Sequence, residues 1–289
     1  MWVVMLTGVG TLLCLGVAVR SYWSERSFYV PHLSDPMPRA SAAGIEGLTE
    51  VVFTSEKGDT LYGWYAPHRN TASIVLLHGS SSDRRSVLVE ARALARAGFG
   101  VLLFDWPGHG ESQGSIQMGA AERFALKAAL DWLTRRPEVD ASRIGALGVS
   151  MGGYILAQVA ADDARVKAAI LVSAPHDLRA QTLHEYRRWG PLSQQPAILA
   201  QRAHGVGLDD RNARDSIGDF APRPLLVIAG AEDPVVPPES PWMLARATGP
   251  SARVWVVPGA GHVDFAKVAP LAYPRRVVEF FGGALLGAA

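Results

Sequence analysis

Apolar residues recur along this chain with two periods, one of about two and one near 3.6, and the places where they switch mark its elements. Residues 2–19 contain no charged side chain. Wound as a helix at about 1.5 Å per residue they reach roughly 27 Å, close to the thickness of a bilayer's hydrocarbon core. Residues 21–48 lose any sustained period and scatter Pro31, Pro36 and Pro38 among serines and glycines, the composition of a linker. At Glu50 the pattern changes again. Val51, Val52 and Phe53, then Leu61, Tyr62, Trp64 and Tyr65, form two β-prone runs around Lys57-Gly58-Asp59, which predicts a hairpin.

Beyond the hairpin, strands and helices alternate. Short, largely apolar runs at 73–77, 100–104, 144–149, 166–172, 224–228 and 253–257 predict strands, the first of them buried. Residues 86–97 place Leu88, Ala91, Leu94 and Ala95 at helical spacing, with Gly98 closing the turn. Further helices are predicted at 120–135, at 152–161, and from Tyr273 through Val277, Val278 and Phe281. This β-α-β-α order implies an α/β fold with a mostly parallel central sheet flanked by helices. About 50 residues between Ser173 and Pro224 hold no strand, too many for a plain connection. They predict a small helical cap at 178–222, inserted into one domain at 49–286 that follows a hydrophobic helix at 1–20 and a linker at 21–48.

Charge narrows the function. Lys and Arg total 28 against 27 for Asp and Glu, so the chain has no electrostatic footprint for nucleic acid. The one cysteine, Cys14, sits in the N-terminal apolar run, which excludes an intramolecular disulfide and a cysteine-built zinc site. No H-x-x-x-H spacing suggests another metal, and no cofactor is expected. Trp2 at one end of the apolar run, and Tyr22 and Trp23 with Arg20 and Arg26 at the other, have the character of interfacial anchors. The expectation is therefore membrane association through residues 2–19 as a single-pass anchor. The alternative is a cleaved signal and a secreted or periplasmic product, against which stands the lack of any basic residue before Arg20. The side of the membrane stays open, and no pattern specifies an oligomeric state.

The chemistry is concentrated at Gly148-Val149-Ser150-Met151-Gly152-Gly153, a G-x-S-x-G between a predicted strand and a predicted helix. A strand that turns this sharply into a helix needs small residues on both sides of the serine. It also leaves the Met151 amide at the positive end of the helix, where an oxyanion gathers charge. A serine hydroxyl needs a base to take its proton, and that base needs a carboxylate to orient it. Asp233 follows the strand at 224–228 and His262 follows the strand at 253–257. All three then sit on loops at one edge of the sheet, where open α/β sheets bind ligands.

With these motifs, residues 50–281 resemble the α/β-hydrolase superfamily. Leu76-Leu77-His78-Gly79-Ser80 looks like that family's loop after its third strand, which implies that the Ser80 amide joins Met151 in an oxyanion hole. The family's pattern also implies Asp233, in preference to Glu232, as the acid. The segment from Phe104 to Ser112 looks like the loop after the fourth strand. The apolar N-terminus and short insertion are similar to N-terminally membrane-anchored members, described as serine hydrolases or lipases. The resemblance implies a carboxylic-ester hydrolase with Ser150 as nucleophile, His262 as general base and Asp233 as orienting acid, acting on a small-molecule ester or acyl substrate, lipid-like in the reading that gives the anchor a purpose.

His78, Gly79, His109 and His176 are further candidates for the pocket, although Asp105, Gly108, His109 and Gly110 read first as turn-shaping residues. A peptidase or amidase using the same three residues is the nearest alternative. A membrane-tethered interaction protein without catalysis is the alternative from another class. Dehalogenase or epoxide-hydrolase chemistry would put an aspartate where Ser150 stands.

Overall fold

The computed structural model describes the chain apart from residues 1, 34–35, 209 and 288–289, and apart from the side chains of residues 2–10 and 32–33. Its strands are β1 (His32–Leu33), β2 (Thr49–Thr54), β3 (Thr60–Ala66), β4 (Ser73–Leu77), β5 (Gly100–Phe104), β6 (His109–Gly110), β7 (Ile144–Val149), β8 (Val166–Val172), β9 (Leu225–Gly230) and β10 (Ala252–Val257). Its helices are α1 (Trp2–Ser27), α2 (Leu88–Arg96), α3 (Ala120–Thr134), α4 (Met151–Asp162), α5 (Leu178–Glu185), α6 (Pro191–Ala203), α7 (Ala213–Ser216), α8 (Ser240–Thr248), α9 (Phe265–Val268) and α10 (Ala272–Leu286). Eight strands form one sheet in the order β10-β9-β8-β7-β4-β5-β3-β2. Only β3 runs against its neighbours, pairing antiparallel with both β2 and β5. The tip of the first hairpin turns through Gly58, whose φ of 89° favours glycine.

Strands β4 and β5 are buried at every position, as helices on both faces of a parallel sheet require. Alternation then divides each strand between two cores. Val75, Leu77, Leu102 and Phe104 pack with Leu126, Leu130 and Leu133 of α3 and Ile155 and Leu156 of α4. Ile74, Leu76, Val101 and Leu103 pack with Leu94 of α2 and Val277 and Phe281 of α10. Between β8 and β9 the chain forms α5, α6 and α7 with short 3-10 turns, within the segment 178–222.

The expected linker begins differently. Residues 21–27 are the last turns of α1, which runs without a break from Trp2 to Ser27. The reason is tertiary: Ser21, Glu25 and Tyr29, four residues apart, are buried, and this stripe faces the cap. Gln201 of α6 donates to Glu25 Oε1 at 2.7 Å, and Tyr29 stacks on His204 with ring centroids 4.9 Å apart. Further on, β1 pairs in parallel with β6 beside the loop that follows β5. Towards the N-terminus the same helix stands clear, with Leu12, Leu13, Leu15 and Val19 exposed. Among the described residues no helix is long and apolar enough to cross a membrane. The side chains of residues 2–10, which make up the first half of the expected anchor, lie outside the described residues.

Beneath the loop edge of the sheet sits a buried ion pair. Arg84 and Asp105 have essentially no exposure, and Arg84 Nη1 reaches Asp105 Oδ2 at 2.5 Å. Arg84 also pairs with Glu111, and its guanidinium lies 4.7 Å from the centre of the Trp64 ring. Asp105 accepts in addition from the amides of Arg84 at 2.8 Å and Glu111 at 3.0 Å. Burial pushes the Asp105 carboxyl up to about 6 against the pull of Arg84. Removing one partner therefore leaves a desolvated group without compensation. Arg84→Met is expected to destabilise the fold by about 3–5 kcal/mol, read as a lower urea midpoint with an unchanged slope; a loss below about 1 kcal/mol would contradict this account.

Candidate active site

The turn out of β7 is tight enough to force an unusual backbone on its serine. Ser150 has φ 50° and ψ −115°, a conformation that side-chain-bearing residues rarely adopt. Its surroundings leave no room for relaxation. A Cβ on Gly148 would stand 2.4 Å from the Gly152 carbonyl oxygen, and one on Gly152 would stand 2.5 Å from that of Leu77. One on Gly153 would meet Ala174 at 2.7 Å. Ser150 N–H bonds to the Val172 carbonyl at 2.8 Å, which ties the turn to β8. Met151 opens α4, where first-turn amides have no helical acceptor.

Two further loops bring the other groups to Ser150. A Cβ on Gly230 would lie 2.3 Å from the Gly261 carbonyl oxygen, so the loops after β9 and β10 meet backbone to backbone. Glu232 N–H donates to Ala260 O at 2.9 Å, and Gly261 N–H donates to Asp264 Oδ1 at 2.8 Å. His262 Nδ1 stands 2.9 Å from Asp233 Oδ2, and His262 Nε2 stands 3.1 Å from Ser150 Oγ. The carboxylate side fixes the roles: Nδ1 carries the proton and donates to Asp233, leaving the Nε2 lone pair for the serine hydroxyl. Burial alone would raise the Asp233 carboxyl. The hydrogen bond and charge of His262, with the Val236 and Val235 amides, outweigh that and hold it below the ordinary range. Glu232, the other acid in this loop, is exposed. The arrangement can take a proton from a hydroxyl and return it to a leaving group.

The loop after β4 passes directly over the serine, with an ideal Cβ at Gly79 only 3.3 Å from Ser150 Cβ. Ser80 and Met151 therefore flank Ser150 from two directions. His78 holds this loop from below. Its Nδ1–H donates to Gly79 O at 2.7 Å, its Nε2 accepts from the Trp106 amide at 3.1 Å, and its carbonyl accepts from Trp106 Nε1 at 2.8 Å. Burial, with the neighbouring His109, pushes its pKa down to about 3, so the ring is neutral.

Comparison with known proteins identifies the family. A model of the alpha/beta hydrolase fold family matches residues 72–197 and 185–267. The chain belongs to the α/β-hydrolase family. An uncharacterised protein of Mycobacterium tuberculosis is 32% identical over 249 residues, covering 84% of this chain and 82% of that one. The uncharacterised protein YfhR of Escherichia coli is 26% identical over 277 residues, covering 91% and 87%. Among solved structures, an esterase of Pyrococcus furiosus superposes with a TM-score of 0.74 at 24% identity, covering 87% of this chain and 96% of that one.

Ser150 and His262 open into a cavity of about 430 Å³ in this hydrolase. Gly79, Ser80, Met118, Val149, Val172 and Leu178 contribute to its wall. The histidines singled out as pocket candidates lie elsewhere. His78 and His109 are fully buried beneath the loops; Nδ1 of His109 lies 3.1 Å from the Pro107 carbonyl oxygen. His176 is tied to Ser240 Oγ at 2.8 Å. Conversely, Glu25, Phe28 and Tyr29 from α1 and its C-terminal turn line the cavity, as do Gln181, Glu185 and Gln201 from the cap. The four-residue spacing of Ser21, Glu25 and Tyr29 was the available signal that the helix continues past its apolar run.

A neutral, buried His78 has a pH consequence. The unfolded chain takes up this proton near 6.5 and the folded chain only near 3. The contribution of His78 is thus fully present above pH 6.5 and is lost as pH falls through that window, at up to about 1.4 kcal/mol per pH unit. His78→Gln is expected to be less stable at pH 7 and to show a shallower loss of unfolding free energy from pH 6 to 4. Parallel stability profiles for the two proteins would remove His78 from the acid response.

Proposed function

We propose that this hydrolase cleaves a carboxylic ester through an acyl-enzyme, with Ser150 as nucleophile, His262 as general base and Asp233 as the acid that orients it. The observation that carries the reading is His262, within hydrogen-bond distance of Ser150 Oγ through one ring nitrogen and of Asp233 through the other, in the wall of a cavity that Ser150 also lines. The preference for esters draws support from the esterase of Pyrococcus furiosus, whose fold the chain shares.

In this reading His262 Nε2 takes the hydroxyl proton as Ser150 Oγ bonds to the substrate carbonyl carbon. The Ser80 and Met151 amides receive the oxyanion, a donor of this kind being worth about 3–4 kcal/mol of barrier. As the intermediate collapses, the C–O bond to the leaving group breaks and His262 returns the proton to the departing alkoxide. Water, deprotonated by His262, then attacks the acyl-serine and releases the acid and the free hydroxyl. Asp233 stays ionised throughout and stabilises the imidazolium.

A fluorophosphonate probe is expected to label the wild-type chain and not Ser150→Ala, which should also lower esterase kcat by about 10⁶. Asp233→Asn should cost about 10⁴. Labelling that survives in Ser150→Ala would sink the assignment.

We also infer that residues 2–19 attach the hydrolase to a membrane. The exposed Leu12, Leu13, Leu15 and Val19 on α1 support this, because an uncovered apolar helix face is costly in water. The full chain should stay with the membrane pellet through an alkaline carbonate wash, and a chain lacking residues 2–19 should not. Release of both chains would refute the attachment.

A further inference from the structure

The side chains around the cavity are unbalanced in charge. Glu25, Glu90 and Glu185 line it, and no Lys or Arg does among the described residues. An acidic lining alone identifies no ligand, because buried carboxyls are often satisfied internally. Here one wall is not. Gln201 is 6% exposed, and its Nε2 is committed to Glu25 Oε1 and to Thr182 Oγ1, both at 2.7 Å. Thr182 spends its own proton on the Leu178 carbonyl at 2.8 Å. The amide orientation is therefore set by its acceptors, and Gln201 Oε1 is left buried without a hydrogen-bond partner in a residue that lines the cavity.

The two carboxyls beside it differ: Glu25 Oε1 accepts from Gln201 and from the Tyr29 hydroxyl, while the Glu185 side chain has no such donor among the described residues. Glu25 is buried, and that burial raises its pKa against the donors from Gln201, Tyr186 and Tyr29. Glu185, at the end of α5, makes no hydrogen bond or ion pair among the described residues. Burial, then the charge of Glu25, push its carboxyl up to about 7 against the influence of His262. A bound hydroxyl would offer one donor and leave the repulsion between the two carboxylates uncompensated. A primary ammonium offers three N–H donors and the missing positive charge.

We propose that Glu25, Glu185 and the oxygen of Gln201 form a primary-ammonium subsite in the cavity, so that the substrate of Ser150 is an acyl compound bearing a protonated amine. This rests on the serine-hydrolase reading and adds a substrate class to it. The ammonium pairs with Glu25 and Glu185, donates to Gln201 Oε1, and holds the acyl group above Ser150.

The test is protection of the full chain from fluorophosphonate labelling by n-hexylammonium, compared with 1-hexanol and hexanoate. Hexylammonium should half-protect at a concentration about ten-fold lower than hexanol, with hexanoate the weakest. Glu185→Gln should bring hexylammonium and hexanol to within about two-fold of each other. This variant is chosen because Glu185 holds no other side chain in place, and a thermal melt checks its folding. Equal protection by hexanol in the wild type, or better protection by hexanoate, overturns the subsite while labelling itself upholds the hydrolase reading. If the wild-type chain does not label, that reading fails instead. Calorimetric titration with hexylammonium chloride then decides the subsite alone: binding that is lost in Glu185→Gln supports it, and its absence overturns it.

Discussion

The position of every reacting group depends on backbone contacts too close for a side chain. Ser150 is held at φ 50°, a state that costs on the order of 1–3 kcal/mol and persists only where its surroundings over-determine it. The surroundings are Gly148 against the Gly152 carbonyl, and Gly152 against the carbonyls of Leu77 and His78. The second contact does more than permit the turn. It fixes the end of β4 against the start of α4, so the Gly79-Ser80 amides and Ser150 are positioned by one interaction. Gly230 against the carbonyls of Ala260 and Gly261 does the same for the loops that carry Asp233 and His262. An alanine at any of these glycines would move two functional groups at once.

This is also why so much of the site was legible in the sequence. Ser150, Asp233 and His262 follow strands whose apolar runs are unmistakable, and glycine stands where backbones must touch. Such constraints are local, and they leave a local mark. The mostly parallel sheet with its flanking helices followed from the same periodicity. The cavity wall was different. Glu25 meets Gln201 across 176 residues of chain, and nothing in either neighbourhood announces the other. Hydropathy ends near Arg20 because polar residues begin there, yet α1 continues because burial of Ser21, Glu25 and Tyr29 against the cap outweighs the loss of apolar pattern. His78, His109 and His176, pocket candidates by position, stand off the cavity, and His109 serves the turn that its first reading gave it.

Environment, not residue type, decides what each carboxyl does. Asp233 accepts from His262 and from the Val235 and Val236 amides, and these donors hold it ionised despite burial. Glu25, Glu90 and Glu185 are raised by burial first. At Glu90 the Tyr273 hydroxyl, at 2.6 Å, and the residue's own backbone amide offset burial only in part. A base that must become an imidazolium needs a fixed negative charge on its far side. A wall that is to receive a ligand benefits from groups whose charge develops when the ligand arrives. Carboxyls of the same chemistry behave differently within one site because their burial and the charge of the groups beside them differ: His262 lowers Asp233 by its charge, and no cation does so for Glu25.

Helix α1 joins two features that sequence reading had kept apart. Its apolar, exposed turns end near Val19, and Glu25, six residues on, belongs to the cavity wall, a rise of about 9 Å. A membrane attachment through the first part would therefore set the cavity within a headgroup layer of the hydrocarbon, where an amphiphilic acyl compound is concentrated. The same geometry bears on whether the segment is kept. Cleavage near residue 20 would leave residues 21–27 as two turns without their N-terminal support, including the hydrogen bond from Ser21 Oγ to Val17 O at 2.9 Å. Helices that short are marginal without the turns that nucleate them. The wall that carries Glu25, Phe28 and Tyr29 is better built by an intact helix, so the cavity itself argues for retention of the N-terminal segment.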